Sequence, residues 1–204
     1  MQLRTLEASN VVLATTVLAC GALTPGYSQA RDTVSRLGSP GQPFALLAGL
    51  GFVVYGGLVL LATPFYEDRG VARLVSVYGV AAVVAGLAAK DPPNGTHTLA
   101  SQIHVDATII GGIAITAAML LTGIRSPRPG ARRASLVSAV LTGSLAVAFE
   151  LAWGSPIYGL VERAMLAVVM AWMVCTARDV SRQSVASATN VDQIDTHSFQ
   201  TAGG

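Results

Sequence analysis

The chain has 204 residues, 52% of them apolar and only 12% charged, with mean hydropathy +0.56 and formal net charge +2. Soluble domains carry about a quarter charged residues, so this composition excludes an ordinary water-soluble globule. A nucleic-acid-binding face is excluded as well, because no basic stripe is joined to stacking aromatics. Cys20 and Cys175 are too few for a disulfide framework and read as two buried thiols inside apolar runs.

Six apolar runs follow one another, at residues 11–23, 44–63, 72–89, 105–122, 136–152 and 157–175. At about 1.5 Å per residue, a helix of about 20 residues crosses a hydrocarbon core of about 30 Å. No run alternates apolar and polar residues at period two, so a strand barrel is excluded. Helices are the remaining way to satisfy a backbone in lipid. The first run is short, and residues 8–10 extend it at the membrane surface. Arg4, the apolar stretch and Val17-Leu18-Ala19-Cys20 loosely resemble a lipoprotein signal peptide, but Glu7 and Leu18 fit it poorly; the expectation is a retained helix.

Turn residues separate the runs: Pro25-Gly26, Pro64, Asp91-Pro92-Pro93-Asn94-Gly95, Pro127 with Pro129-Gly130, and Gly154-Ser155-Pro156. The pattern predicts an all-α polytopic membrane protein, a six-transmembrane-helix bundle over residues 1–182. A polar tail over residues 183–204, rich in Ser, Thr, Ala and Gln, is predicted disordered. With the N-terminus inside, nine of the 13 Lys and Arg residues fall on the cytoplasmic side, four of them between residues 125 and 133. The positive-inside rule therefore predicts both termini in the cytoplasm of a plasma membrane. Small residues four apart (Ala45 and Gly49, Ala82 and Gly86, Ala114 and Ala118, Ala139 and Gly143) suit close helix packing.

Reactive side chains concentrate on the predicted outer side. Loop one carries Tyr27, Arg31, Asp32, Ser35 and Arg36; loop three carries Lys90, Asp91, Asn94, His97, Ser101, His104 and Asp106; the last outer turn carries Glu150, Tyr158, Glu162 and Arg163. If helix four begins near Thr96, then His97, Ser101, His104 and Thr108 share one face that runs toward Gly111 and Gly112. Ionisable groups at membrane depth usually face the bundle interior. Three readings compete for this stripe: interfacial histidines that cap the helix, a pocket for a lipid head group or small polar ligand, and a metal site. The metal site would join His97 and His104 with Asp32 or Asp106, for which zinc is the fitting ion. Arg163 reads either as an ion-pair partner of Asp32, Asp91 or Asp106, or as a fork for phosphate or carboxylate.

The loop containing Pro25, Tyr27, Asp32, Ser35, Leu37 and Gly38 resembles the "P-x-Y…D-x-x-S-x-L-G" loop of domain-of-unknown-function family 998, bacterial and archaeal multi-pass membrane proteins. Gly56-Gly57, the Gly86…Asp91 exit from helix three, His97 and Gly159-Leu160-x-Glu162-Arg163 fit the same family. The resemblance spans most of residues 8–180. It implies a helical bundle in the bacterial plasma membrane, implies no activity, and marks Tyr27, Asp32, Ser35, His97, Glu162 and Arg163 as candidate site residues. Ser35, Asp32, His97 and His104 are also the residue types of alkaline-ceramidase-like membrane hydrolases, which bind zinc. Those proteins have seven helices and a late histidine pair that this chain lacks.

The functional expectation is therefore a membrane protein that binds membrane lipid or a small ligand at its outer face, or supports a protein partner or a second copy of itself. The alternative is a metal-assisted hydrolase acting on lipid at the outer leaflet. A transporter ranks third, because the spans hold almost no ionisable residue near their midpoints.

Overall fold

The computed structural model describes residues 2–92 and 98–178. The polar tail, with His197, and the candidate His97 lie outside the described residues. Five helices are α1 (Gln2–Leu23), α2 (Ala45–Ala62), α3 (Arg69–Leu87), α4 (Leu99–Arg125) and α5 (Pro129–Leu151). The sixth, α6, spans Tyr158–Arg178, and all six are long and apolar enough to cross a membrane. No strand occurs among the described residues.

Local chemistry sets the helix ends. Asp68 caps α3, its Oδ1 accepting from the Gly70 and Val71 amides at 2.6 and 3.2 Å. Pro129 opens α5, where a missing N–H costs nothing. α1 begins well before its apolar run, because Leu6 and Leu13 are buried and Ser9 donates back to the Leu6 carbonyl at 2.8 Å. The α1–α2 and α5–α6 connections turn at Gly26 (φ 73°) and Gly154 (φ 75°), a left-handed conformation that suits glycine.

Burial is inverted relative to a soluble protein. In α2 the outward side chains are Leu46, Val54 and Leu61, the first 78% exposed. The inward ones are Ala48, Gly51, Tyr55, Gly56, Val59 and Ala62. Small residues inside and leucines outside are what a lipid solvent selects. Cys20 is buried as expected, but Cys175 is exposed. An apolar run surrounded by lipid has no need to turn its thiol inward.

Consecutive helices pack as neighbours from α1 through α5. Two glycine pairs bring α2 and α3 to close range, since a Cβ on Gly49 would strike the Gly86 carbonyl and one on Gly56 the Gly79 carbonyl. Between these helices the Tyr55 and Tyr78 hydroxyls share a buried hydrogen bond of 2.8 Å. α6 returns beside α1, where Asn10 donates to the Met170 carbonyl (3.1 Å) and Arg178 pairs with Glu7 (3.0 Å). It also meets α5, where the buried Trp172 Nε1 donates to Ser135 Oγ at 2.8 Å.

The two ends of the bundle differ. At one end Arg125 pairs with Asp68 (3.3 Å) and Arg128 with Glu67 (2.8 Å), joining the α2–α3 and α4–α5 connections. At the other, Tyr158 stacks on Phe149 (4.3 Å) and meets the edge of the exposed Trp153 (5.3 Å), an arrangement typical of a membrane–water interface. This second end gathers loop one and the α3–α4 connection, and it holds the candidate residues.

Candidate functional site

Two constellations occupy that end. The first is built by loop one folding over the start of α6. Asp32 is buried at the loop's centre. Its Oδ2 accepts from the Ser28 amide at 2.7 Å, and its Oδ1 accepts from Arg31 Nε at 3.4 Å and from Arg36. Burial alone would raise this carboxyl, but the Ser28 amide and the two guanidiniums outweigh it and hold the group below the usual carboxylate range.

Arg163 threads the same loop. It donates to Gln29 Oε1 (2.9 Å), to the Asp32 carbonyl (2.8 Å), to the Gly159 carbonyl (2.8 Å) and to the Tyr27 hydroxyl. Its guanidinium also sits 5.6 Å from the Tyr27 ring centre. Tyr27 in turn donates toward the Thr33 carbonyl at 3.0 Å. Burial pushes the Tyr27 hydroxyl up, although Arg163 pulls the other way. Glu162, the neighbour of Arg163, accepts from the Val34 amide at 2.5 Å, and the Leu160 amide donates to the Ala30 carbonyl at 2.8 Å. Gly159 is where loop and helix touch: a Cβ there would run into the Asp32 carbonyl.

The Asp32 carboxylate and the Arg163 guanidinium are thus engaged within loop one and α6. Arg163 was expected to meet the carboxylate of Asp32, Asp91 or Asp106, or to form an anion fork; it meets the Asp32 main chain instead. Adjacent residues on a helix face different ways, and here Glu162 and Arg163 grip two segments of the same loop. Gln29 was not singled out by sequence reasoning, because a glutamine in a polar loop carries no spacing signal.

The second constellation is a cavity of about 360 Å³ between loop one, α2, the end of α3 and the start of α4. Its wall is apolar, including Ala45, Leu50, Phe52 and Val53, and Ser35, Lys90 and His104 supply its polar groups. His104 is 6% exposed. Its Nδ1 lies 2.9 Å from the carbonyl oxygens of both Ala85 and Ala88, at the end of α3. Its Nε2 is buried with no hydrogen-bond partner among the described residues. Lys90 lines the cavity within electrostatic reach of both His104 and Glu162. The half-buried Ser35 donates to Thr33 Oγ1 at 3.2 Å.

The predicted stripe on α4 is corrected in part. The helix begins at Leu99 rather than near Thr96, because Thr98 caps it by accepting from the Ser101 amide at 3.2 Å. Asp91 fixes that cap, accepting from the Thr98 amide (2.7 Å) and hydroxyl (2.9 Å). The buried face then runs through His104, Ala107, Gly111 and Ala114, while Thr108 is exposed and bonds its own helix. Gly111 packs against Ala81, whereas Gly112 faces open space. Asp106 points away from His104 and is exposed, accepting from Gln102 at 2.8 Å. Of the proposed metal donors, Asp32 is engaged in loop one and His104 faces the cavity. Among the described residues no three His, Cys, Asp or Glu side chains converge to hold a metal ion.

A helical bundle with these loops defines the chain as a multi-pass membrane protein. It belongs to the family described as "Protein of unknown function (DUF998)", whose model matches residues 8–179. No curated protein and no solved structure matches the chain.

Proposed function

We propose that this chain is a plasma-membrane protein with both termini in the cytoplasm, and that it holds a membrane lipid by its head group in the outward-facing cavity between α2, α3 and α4. The observation that carries this reading is the composition of the cavity: an apolar wall along α2 and α3, with Lys90, Ser35 and His104 as its polar groups. Ligand sites combine a mostly apolar lining with a few placed polar groups, in volumes of roughly 300–1,000 Å³. A phospholipid matches that combination with its phosphate toward Lys90 and its acyl chains toward the apolar wall. The arginine-rich connection at the opposite end favours this orientation. In this reading Tyr27, Asp32, Glu162 and Arg163 hold loop one against α6 and thereby fix one wall of the site.

The test is lipid retention. Protein purified in mild detergent should carry phospholipid, detected by native mass spectrometry. Ala45→Phe, which narrows the cavity from its α2 wall, should deplete that lipid while leaving the melting temperature close to that of the parent. Equal lipid content in the two proteins would contradict the reading.

A further inference from the structure

The cavity is too small to enclose a whole diacyl lipid. Its volume of about 360 Å³ lies near the lower end of the range for drug-sized ligands, roughly 300–1,000 Å³, and a diacyl phospholipid is larger than such a ligand. The rest of the molecule must leave through an opening, and the lining locates one. Leu46, Leu50 and Leu87 line the cavity, yet they are 78%, 49% and 73% exposed. They belong to the membrane-spanning segments of α2 and α3, where an exposed leucine faces lipid. Leu46, Leu50 and Val53 follow one face of α2 over about 10 Å, at 1.5 Å per residue. Gly49 and Gly86 also line the cavity, and neither has a side chain to fill the seam between the two helices. The cavity therefore opens sideways.

Charge narrows the occupant. Among the described residues lining the cavity there is no Asp or Glu, and Lys90 supplies a cation. Glu162 is within electrostatic reach of Lys90, but its carboxylate accepts from the Val34 amide in loop one. Coulomb attraction acts over several ångströms without an aligned contact, so an ammonium bordering the cavity favours an occupant of net negative charge.

We propose that the site takes phospholipids of net negative charge, such as phosphatidylglycerol, sideways from the outer leaflet. The head group enters past the leucines of α2 and α3, and the acyl chains stay in the bilayer. The proposal rests on the lipid reading of the cavity and adds to it a charge and a route.

Delipidated protein in detergent is titrated with phosphatidylglycerol, phosphatidylethanolamine and phosphatidylcholine, and bound lipid is counted by native mass spectrometry. The lipid that matters is the portion absent from Ala45→Phe, which leaves out lipid held at the arginine-rich end. In that portion phosphatidylglycerol should bind about fivefold more tightly than either zwitterionic lipid, the scale of one lysine acting on an anionic head group. Lys90→Gln should bring the three affinities together. Leu46→Glu puts a carboxylate at the mouth and should weaken phosphatidylglycerol about fivefold while sparing phosphatidylcholine. Leu151→Glu, at an exposed position on α5 outside the lining, should change neither.

Equal affinities in the parent protein, or an unaltered preference in Lys90→Gln, would overturn the charge requirement. Equal effects of Leu46→Glu and Leu151→Glu would overturn the sideways route. Both outcomes leave lipid binding standing. Lipid content unchanged in Ala45→Phe would overturn the lipid reading itself. Displacement of bound lipid by free glycerophosphoglycerol at comparable concentration would do the same, because the occupant would then be the water-soluble head group.

Discussion

Arg163 gathers four acceptors from two places: Tyr27, Gln29 and the Asp32 carbonyl in loop one, and Gly159 in its own helix. Charged hydrogen bonds contribute about 1.5–3 kcal/mol each when both partners are positioned, and an abandoned buried partner costs more than the bond returns. Arg163→Ala should therefore destabilise the protein by about 2–4 kcal/mol, read as a lower midpoint in thermal unfolding in detergent. Arg163→Lys should recover only a fraction, since one ammonium cannot span the four positions. An Arg163→Ala midpoint equal to the parent's would remove the case for this clamp. Asp32 adds a pH dependence of defined sign. Its folded carboxyl lies below the ordinary value, held there by the Ser28 amide, Arg31 and Arg36 against the opposing effect of burial. The stability it supplies is complete above the unfolded value of about 4 and is lost as pH falls through the lower folded value. Asp32→Asn should flatten the acid limb of a stability-against-pH curve in that window. A limb of unchanged steepness would assign the acid sensitivity to another group.

At the scale of elements, the α2–α3 crossing depends on glycine at chosen positions only. A Cβ on Gly56 would collide with the Gly79 carbonyl and Val83, while one on Gly57 would meet nothing within 4 Å. Gly56→Ala should cost about 1–3 kcal/mol through overpacking, whereas Gly57→Ala should be neutral or slightly stabilising through helix propensity. Paired melting curves decide this, and similar shifts for both would contradict the close crossing. The sequence made such contacts visible unevenly. Gly49 and Gly86 stood out as small residues at four-residue spacing and do meet, and Ala114 and Ala118 are buried. Gly143 was grouped with Ala139 on the same grounds, yet a Cβ there would meet nothing within 4 Å. Spacing alone does not say which face of a helix is turned toward a neighbour. Six spans were legible because lipid demands long apolar runs, whatever the packing inside. The start of α4 was not, because it depends on Thr98 and Asp91 completing a cap across a connection. That cap decides which polar residues look inward: His104 does, while Thr108 does not. Loop one was recognisable as a cluster of polar residues, but its inward-directed hydrogen bonding depends on α6, more than 120 residues further along the chain.

Across the described residues, the exposed large apolar side chains are mostly leucine, isoleucine and valine, and ion pairs join the connections at one end. One end is braced by Arg125 and Arg128 on the acidic α2–α3 connection, and the other holds loop one, the aromatic cluster and the cavity. Lipid recognition from the outer leaflet requires that the second end face outward. Cysteine labelling in intact bacterial cells tests this directly. In a background lacking Cys20 and Cys175, Pro40→Cys and Arg132→Cys place single thiols at exposed positions on opposite ends. A membrane-impermeant maleimide should label position 40 in intact cells and position 132 only after the membrane is opened. Labelling of position 132 in intact cells, with position 40 protected, would invert the molecule in the membrane and contradict the account.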